Sequence, residues 1–175
     1  MCGISGKVNF KQEVVDRAAI AKMCQRLVHR GPDDEGIYTS LHIGLGQRRL
    51  SIIDLSSRAV APLPNEDGTI WVTFNGEIYN FQELKAELTE KGHIFRTATD
   101  TEVIVHLYEE YGTQCLSKMR GMFAFAVWDS NHKRLFAARD RLGKKPFFYT
   151  KTSTSFLFGS ELQAILAAPE VSVSP

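Results

Sequence analysis

The amino-acid sequence predicts a layered α/β sheet sandwich folded as one compact unit. Its 175 residues are only slightly more than the roughly 150 residues of an average domain. Segments with strand character form two groups, with helix-like segments between and around them. One strand, residues 122–128, is apolar on both of its alternating faces and must be covered on both sides. Stacked sheets with helices packed against them satisfy these observations.

The N-terminal half is predicted to contain three strands and one helix. The strands are expected over residues 3–10, 43–54 and 70–75. A helix over residues 14–29 is indicated by the i, i+3, i+4, i+7 spacing of Ile20, Met23, Cys24 and Leu27. Cys24 is therefore expected to be a small buried hydrophobe. Residues 30–36 have the composition of a loop.

The C-terminal half begins with two predicted helices and continues with strands. Asn80 and Glu83 have the spacing of a capping box at a helix start, and Gly92 ends that helix. A second helix is expected over residues 100–111, followed by Gly112. The remaining predictions are strands over 122–128, 134–139, 147–150 and 156–158, a short helix over 161–168 and a linker over 169–175.

Composition and charge exclude several functional classes. Lys and Arg number 21 against 20 for Asp and Glu, and the net charge of +1 argues against a strong electrostatic grip on nucleic acid or membrane. No apolar run approaches the roughly 18 residues of a membrane-spanning helix. The N-terminus lacks the basic and apolar regions of a secretory signal. Three widely spaced cysteines indicate no disulfide framework, so we expect a reducing, cytoplasmic setting.

The cysteines and histidines match no metal or disulfide motif. The three cysteines are widely spaced without a CxxC pair, and the five histidines form no HExxH or HxH pattern. The phosphate-binding pattern GxxxxGK[ST] is absent, and Gly44 and Gly46 do not continue into GxGxxG. The sequence therefore predicts neither a metal nor a nucleotide cofactor in this domain.

Cys2 is the sharpest candidate for chemistry, provided that Met1 is removed. Residue 2 would then carry a thiol and a free α-amine, whose reference pKa of about 7.7–8.0 lets it accept a proton near neutrality. A thiol beside such a base is an activated nucleophile. With Met1 attached, the same nitrogen is an amide and cannot act as a base. The structural alternative is a frayed terminus.

Asn75 and Gly76 are predicted to form a turn after a strand, since Asn-Gly is a favoured turn dipeptide. Such a turn would also present the Asn75 side-chain amide and the Gly76 backbone N–H as two donors to a developing oxyanion. The structural and the catalytic interpretations are compatible, and the sequence leaves both open.

Three further charged residues are candidates for substrate binding. Arg48 and Arg49 are adjacent in a predicted strand, so one should face solvent and the other a cleft, where its planar fork suits a carboxylate. Asp100 begins a predicted helix, and capping or dipole pairing is the favoured interpretation. The alternative is that Asp100 binds a substrate ammonium.

Together these features describe a site for an α-amino acid with a side-chain carbonyl. One arginine would hold the carboxylate and Asp100 the ammonium, while Cys2 and the donors at residues 75–76 would face the carbonyl. A side-chain carboxamide attacked by a thiolate releases ammonia and leaves a thioester, which water hydrolyses.

A set of short motifs resembles one family along nearly the whole chain, residues 2–168. The chain resembles the N-terminal glutaminase domain of glutamine-hydrolysing asparagine synthetases, which are class II glutamine amidotransferases. Each segment alone is modest evidence, but their common order is specific. The matching segments are CGISG (2–6), RGPD (30–33), RLSIID (49–54), FNGEIYN (74–80), TDTEVI (99–104), RGMFAF (120–125) and RD (139–140).

The resemblance implies an α+β, N-terminal-nucleophile hydrolase fold, in which two stacked antiparallel sheets lie between helix layers (αββα). It implies that Cys2 is the nucleophile after loss of Met1 and that Asn75 and Gly76 form the oxyanion hole. It favours Arg49 over Arg48 for the glutamine α-carboxylate, and Asp100 with Glu77 for the α-ammonium. The remaining implied pocket residues are Leu50, Ser51, Ile52 and Ile53.

The family also implies partners beyond this sequence. Its members carry a C-terminal synthetase domain that binds ATP, magnesium and aspartate through an SGGxDS-type loop and receives ammonia through a tunnel. That loop does not occur in residues 1–175, and residues 169–175 are expected to be a linker toward such a domain. L-glutamine is the expected substrate, whereas the acceptor of the ammonia and a homodimeric state are left open.

Two alternatives remain at this stage. In the first, the domain is the glutaminase part of another class II amidotransferase, such as a glucosamine-phosphate synthase or a phosphoribosyl-pyrophosphate amidotransferase. Alternatively, it would be a non-catalytic module that binds glutamine, which retention of Met1 would favour. The presence of Cys2, Arg49, Asn75 and Asp100 argues against the second alternative.

Overall fold

A computed structural model describes residues 1–11, 13–51, 59 and 61–172. Within these ranges nine strands form two antiparallel sheets, and no helix is long and apolar enough to cross a bilayer. The strands are β1 (Gly3–Asn9), β2 (Asp34–Ser40), β3 (Ile43–Arg49), β4 (Leu63–Pro64), β5 (Ile70–Ile78), β6 (Gly121–Asp129), β7 (Arg134–Arg139), β8 (Phe148–Lys151) and β9 (Ser155–Gly159). The five-stranded sheet has the order β2-β3-β1-β9-β8, and the four-stranded sheet has the order β4-β5-β6-β7.

Helices cover the outer faces of the stacked sheets. They are α1 (Arg17–Gln25), α2 (Phe81–Glu90), α3 (Asp100–Tyr111) and α4 (Leu162–Ile165), with a 3-10 helix over Gly112–Ser117. Helices α1 and α4 pack on the five-stranded sheet, α3 packs on β5, and α2 packs on α3. The sheets meet where β1 and β3 lie against β5. This is the predicted αββα arrangement.

Three apolar layers hold the sandwich together. The layer between the sheets is formed by Ile4, Ile43, Leu45, Ala124, Ala126, Trp128 and Phe158. A second layer, under α1 and α4, contains Ile20, Met23, Cys24, Leu157 and Ile165. The largest layer, under α2 and α3, includes Phe74, Leu84, Leu88, Ile104, Leu107, Phe125 and Val127. Burial of these side chains is the main force that stacks the layers.

Strand β6 confirms the inference from its double-sided apolar pattern. Phe123, Phe125 and Val127 belong to the layer under α2 and α3. Ala124 and Ala126 belong to the layer between the sheets. Ala124, Ala126 and Trp128 thus face the other sheet, whereas Phe123, Phe125 and Val127 face the helices, so the strand is covered on both sides.

Two predicted boundaries at the N-terminal side are wrong. Residues 34–36 were expected in a loop, but they begin β2, an edge strand paired antiparallel with β3. Pairing with a neighbour overrides the low strand propensity of Asp34 and Gly36, and charges are common on edge strands. Helix α1 begins at Arg17 rather than residue 14, because the Asp16 side chain accepts a hydrogen bond from the Ala18 N–H and caps it.

The predicted turn at Asn75 and Gly76 is also wrong. Strand β5 continues to Ile78, and Asn75 and Gly76 pair with Ala124 and Phe123 of β6. A Cβ at position 76 would lie 2.3 Å from the Met122 carbonyl oxygen. The glycine is therefore required by the close approach of β6, and no turn is involved.

Asn80 precedes α2 but does not cap it through its side chain. Its Nδ2 instead donates to the Lys118 carbonyl at 3.0 Å, and its Oδ1 accepts from the Arg120 N–H at 2.9 Å. The amide thus joins the start of α2 to the segment before β6. The predicted capping box of Asn80 with Glu83 is therefore wrong. The predicted position of the helix start is right, because α2 begins at Phe81, directly after Asn80.

The packing of α1 on β3 generates a stability prediction. A Cβ at Gly46 would lie 2.4 Å from Cys24 Sγ and 2.8 Å from Ile20 Cγ2. We expect Gly46→Ala to lower the free energy of unfolding by about 1–3 kcal/mol through overpacking, measured by urea denaturation. Adding Cys24→Ala removes the sulfur and should make the combined loss smaller than the sum of the single losses. Unchanged stability in Gly46→Ala would contradict this packing.

Candidate active site

A cavity of about 250 Å³ opens where the two sheets and the start of α3 meet. It is lined by residues that precede β1, end β3, lie on β5 and begin α3. The described lining residues are Met1, Cys2, Gln47, Arg49, Leu50, Ala59, Phe74, Asn75, Gly76, Glu77, Thr99, Asp100, Thr101, Met122 and Lys145. The fold therefore brings together side chains that are far apart in the sequence.

The predicted site residues fall into three groups. Cys2, Arg49, Leu50, Asn75, Gly76, Glu77 and Asp100 all line the cavity. Ser51 does not line it, and its N–H and hydroxyl instead donate to the carboxylates of Asp33 and Asp34. Ile52 and Ile53 lie outside the described residues.

Cys2 lies directly before β1 and is half-buried. Its Sγ is 3.9 Å from the Leu50 carbonyl oxygen, and its own carbonyl accepts a hydrogen bond from Arg30 Nε at 3.1 Å. Arg30 is held in turn by Glu161 Oε1 at 2.9 Å. Burial raises the pKa of Glu161, but hydrogen bonds from Arg30, His29 and Gln163 outweigh it and lower the value to about 2.

Met1 occupies one side of the same cavity. It is 57% exposed, and its sulfur lies 3.2 Å from the ammonium of the buried Lys145. While Met1 is attached, the nitrogen of Cys2 belongs to a peptide bond and has no basic lone pair. The acid–base chemistry predicted for Cys2 therefore requires removal of Met1, which would also widen the cavity beside Lys145.

Asn75 carries an unused hydrogen-bond donor. The residue is only 1% exposed, and its Nδ2 is buried without a hydrogen-bond partner among the described residues. A buried amide without a partner is unfavourable by about 1–3 kcal/mol, so such groups need an explanation. A donor kept for an oxyanion inside the cavity provides one.

The two adjacent arginines point to different surroundings. Arg49 is buried, lines the cavity and has its guanidinium 3.5 Å from Asp34 Oδ2. Arg48 was expected to face solvent if Arg49 faces a cleft, but its side chain is only 14% exposed. The loop over residues 31–32 covers it, and Arg48 donates to the carbonyls of Gly31 and Pro32.

Asp100 is the first residue of α3, whose N-cap is Thr99, so Asp100 does not cap the helix, but its acidic side chain in the first turn has the position expected for dipole pairing. Its Oδ2 accepts a hydrogen bond from the Ile78 N–H at 2.9 Å. The pKa of Asp100 is raised to about 6, mainly by burial. The hydrogen bond from the Ile78 N–H opposes this rise, and the neighbouring charge of Glu77 adds to it. A buried carboxyl of this kind needs a cation to stabilise its charged form.

Several lining residues were missed in the sequence. Gln47 is buried, and its Oε1 accepts hydrogen bonds from Thr73 Oγ1 and the Phe74 N–H across the two sheets. A polar residue within the apolar run of β3 was the available signal. Lys145 carried no signal, because only tertiary contacts place it beside the N-terminus. Arg30 belongs to the RGPD motif but was given no role, and it contacts Cys2 without lining the cavity.

Cys2 is also distinguished from the other two sulfurs by its surroundings. Cys24 and Cys115 are buried, and burial raises the pKa of each thiol to about 11. Such thiols are inert near neutral pH. Cys2 is therefore the cysteine available for nucleophilic chemistry.

Comparison with known proteins agrees with this geometry. A family model described as a glutamine amidotransferase domain matches residues 1–175. The chain belongs to this family. The resemblance inferred from the sequence motifs is thereby confirmed, and so is the expected enzyme class.

Curated relatives of this amidotransferase domain are longer proteins. "Asparagine synthetase [glutamine-hydrolyzing] 3" of Bacillus subtilis is 45% identical over 173 residues, covering 98% of this chain and 28% of the relative. A putative asparagine synthetase of Methanocaldococcus jannaschii is 41% identical over 189 residues, covering 98% of this chain and 36% of the relative. The chain thus spans between a quarter and two fifths of the length of these relatives.

A solved structure confirms the fold of the amidotransferase domain. Glutamine phosphoribosylpyrophosphate amidotransferase from Bacillus subtilis superimposes with a TM-score of 0.77 over 95% of this chain and 43% of that chain. The sequences are 21% identical, so the likeness concerns the fold. The superposition thus supports the two stacked antiparallel sheets that the sequence resemblance implied for this chain.

The buried carboxyl of Asp100 generates a pH-dependent stability prediction. Its folded-state pKa of about 6 exceeds the reference value of 3.8. Between these two pH values the Asp100 carboxyl is therefore protonated more in the folded chain than in the unfolded chain. Its contribution to stability is therefore greatest below about pH 4 and is lost as pH rises through about 6. Asp100→Asn keeps an acceptor for Ile78 and should raise the free energy of unfolding near pH 8 by up to roughly 3 kcal/mol.

Urea denaturation near pH 8 and near pH 4 measures this effect. Asp140 provides a control of opposite sign, because hydrogen bonds from the N–H groups of Lys144, Lys145, Phe123 and Leu142 outweigh burial and lower its pKa. Asp140→Asn should therefore be destabilising near pH 8. A loss of stability in Asp100→Asn at that pH would contradict the cost assigned to its burial.

Proposed function

We propose that this domain hydrolyses L-glutamine to L-glutamate and ammonia through a thioester on Cys2. The observation that carries the proposal is the convergence of Cys2, Arg49, Asn75 and Asp100 on one cavity. Membership of the glutamine amidotransferase domain family supports the substrate and the reaction.

The cavity offers complementary groups for both ends of an amino acid. The Arg49 guanidinium suits the α-carboxylate, because its planar fork pairs with two oxygens. The buried Asp100 and the exposed Glu77 suit the α-ammonium, whose charge would keep Asp100 ionised. These contacts leave the side-chain carboxamide to reach Cys2 and the donors on β5, with Leu50 as part of the wall.

Thioester formation follows from the groups at residue 2. After loss of Met1, the α-amine accepts the thiol proton, and the Cys2 thiolate attacks the carboxamide carbon. The Asn75 Nδ2 and the Gly76 N–H donate to the oxyanion of the tetrahedral intermediate. When this intermediate collapses, the C–N bond breaks and the α-ammonium returns the proton to the leaving nitrogen, which departs as ammonia.

Hydrolysis of the thioester uses the same groups. The neutral α-amine removes a proton from a water molecule, which attacks the thioester carbon, and the β5 donors again stabilise the oxyanion. Cleavage of the C–S bond regenerates the Cys2 thiol with the proton held by the amine, and glutamate leaves. The net reaction is glutamine plus water giving glutamate plus ammonia.

The destination of the ammonia is part of the proposal. The curated relatives are asparagine synthetases that extend well beyond the length of this chain. We propose that ammonia from this cytoplasmic domain is passed to an ATP- and magnesium-dependent synthetase domain, which receives it as a covalently linked or separate partner. ATP and magnesium would be bound by that partner.

Retention of Met1 would favour a second candidate, a glutamine-binding module without catalysis. A retained Met1 near Lys145 would leave Cys2 without a free amine, whereas Arg49 and Asp100 would remain in the cavity. Mass spectrometry of the purified N-terminus separates the two candidates when it is combined with an ammonia-release assay. Loss of Met1 together with glutamine-dependent ammonia release supports the hydrolase, and retained Met1 without release supports the module.

Substitution of the nucleophile tests the mechanism directly. Cys2→Ala should abolish ammonia release from glutamine, because no sulfur remains to form the thioester, while binding of glutamine by calorimetry persists. The matched control is Cys115→Ala, which removes a buried thiol away from the cavity. Wild-type turnover in Cys2→Ala would rule out the thioester mechanism.

Removal of the unused amide donor tests the oxyanion hole. We expect Asn75→Ala to lower kcat by about 10²–10³ with a small change in KM, because the donor acts on the transition state. Steady-state glutaminase assays measure both constants. A change confined to KM would instead assign Asn75 to glutamine binding.

A further inference from the structure

A second polar cluster lies on the helix side of the four-stranded sheet and shares no residue with the catalytic cavity. Glu66 comes from the turn between β4 and β5, and His93 from the segment after α2. His106 and Glu109 lie on α3. One ligand atom from each of the four side chains lies within 4.8 Å of the other three.

The distances within this cluster match those between donors around one small cation. The Nδ1 atoms of His93 and His106 lie 3.1 and 3.3 Å from the two carboxylate oxygens of Glu66. The same nitrogens lie 3.8 and 4.0 Å from Glu109 Oε2. Four donor atoms arranged tetrahedrally at about 2.0–2.1 Å from a zinc ion lie about 3.4 Å from one another. The four nitrogen–oxygen distances in this cluster lie on both sides of that value.

The imidazole of His106 provides an independent sign of a ligand. Its side chain is only 1% exposed, and neither ring nitrogen makes a hydrogen bond within the described parts of the chain. Its Nδ1 lies 3.3 Å from a carboxylate oxygen of Glu66 and 4.0 Å from one of Glu109. A buried ring nitrogen without a partner is unfavourable, and coordination of a cation would satisfy it.

The second nitrogen of each imidazole faces another carboxylate. His93 Nε2 lies 3.3 Å from Glu110 Oε1, and His106 Nε2 lies 3.8 Å from Glu102 Oε1. Metal-bound histidines commonly donate their other N–H to a carboxylate, which fixes the ring and makes the coordinating nitrogen more basic. His93 has this hydrogen bond with Glu110, whereas the 3.8 Å between His106 Nε2 and the Glu102 carboxylate is too long for one.

The charges around the cluster also favour a cation. Four glutamates, at positions 66, 102, 109 and 110, surround two imidazoles. The nearby cations are engaged at its edge: Lys91 pairs with Glu110, and the Arg96 guanidinium donates to the Glu66 carbonyl. No lysine or arginine among these pairs therefore neutralises the carboxylates of Glu66 and Glu109, and the region around the two imidazoles carries net negative charge.

We propose that His93, His106, Glu66 and Glu109 form a binding site for one divalent metal ion of the zinc class. Two imidazole nitrogens and two carboxylates constitute a donor set that suits Zn²⁺, whereas Mg²⁺ and Ca²⁺ prefer oxygen ligands alone. The sequence showed no metal motif because the four ligands come from three separate segments.

The bound ion would act as a structural cross-link. It would tie the β4–β5 turn and the segment after α2 to the middle of α3, whose first residue, Asp100, lines the catalytic cavity. Since the ion binds only when these segments are assembled, it stabilises the folded chain.

Metal titration of the full chain tests the site. After treatment with a chelator and dialysis, the protein is titrated with Zn²⁺ in competition with a chromophoric chelator, and with Co²⁺ monitored by visible absorption. We expect one ion per chain, the visible bands of tetrahedral Co²⁺, and a thermal midpoint that rises with Zn²⁺. His93→Gln and Glu109→Gln should each weaken Zn²⁺ binding at least about tenfold.

The matched control is His132→Gln, which removes an exposed histidine paired with Asp129 on the β6–β7 connection. It should bind Zn²⁺ as the unsubstituted chain does. Circular dichroism and melting in chelator show that each variant is folded, so that lost binding is not lost structure. The absence of saturable Zn²⁺ binding to the unsubstituted chain, or full affinity in both cluster variants, would overturn the proposal.

Discussion

The hydrogen bonds of Gln47 across the interface between the two sheets are the constraint on which the catalytic cavity depends. Gln47 Oε1 accepts from Thr73 Oγ1 at 3.1 Å and from the Phe74 N–H at 2.9 Å, all in the buried interior. These contacts fix how far along its length β3 lies against β5 of the other sheet, because any shift would leave buried polar groups without hydrogen bonds. Arg49 and Asn75 follow within two residues on their strands, so the same register brings them to one cavity.

The catalytic cavity contains two groups that lower the stability of the empty protein. Asp100 is a buried carboxyl whose pKa is raised to about 6 by burial, and Asn75 has a buried amide donor without a partner among the described residues. Both would gain an interaction partner when glutamine is bound. Sites prepared for a ligand commonly reduce the stability of the empty protein in this way.

Helix α3 connects the two functional regions that we propose. Its first residue, Asp100, reaches the catalytic cavity, whereas His106 and Glu109 face the proposed metal site. Between them, Glu102 accepts hydrogen bonds from the N–H groups of Arg96 and Thr97, which holds the preceding segment to the helix. These hydrogen bonds fix the chain just before the start of α3, where Asp100 lies.

The local sequence determined the elements whose periodicity is strong and the chemistry that needs a particular position. The pattern of residues 122–128 predicted a strand covered on both sides, and the apolar spacing predicted α3 with the bounds observed. The logic of a thiol and an amine on one residue singled out Cys2 without any structure. Such features depend on neighbours in the chain, so they can be recognised from the sequence.

Contacts between distant segments decided the rest. Residues 34–36 became a strand because β3 offers a partner, and Gly76 lies in a ladder because β6 passes too close for a side chain. Arg48 is covered by a loop that the sequence did not position, and Arg30 meets Cys2 only through the fold. The sequence by itself determined which residues could do the chemistry. Only the tertiary structure decided which of them meet, because long-range pairing and packing leave no local pattern.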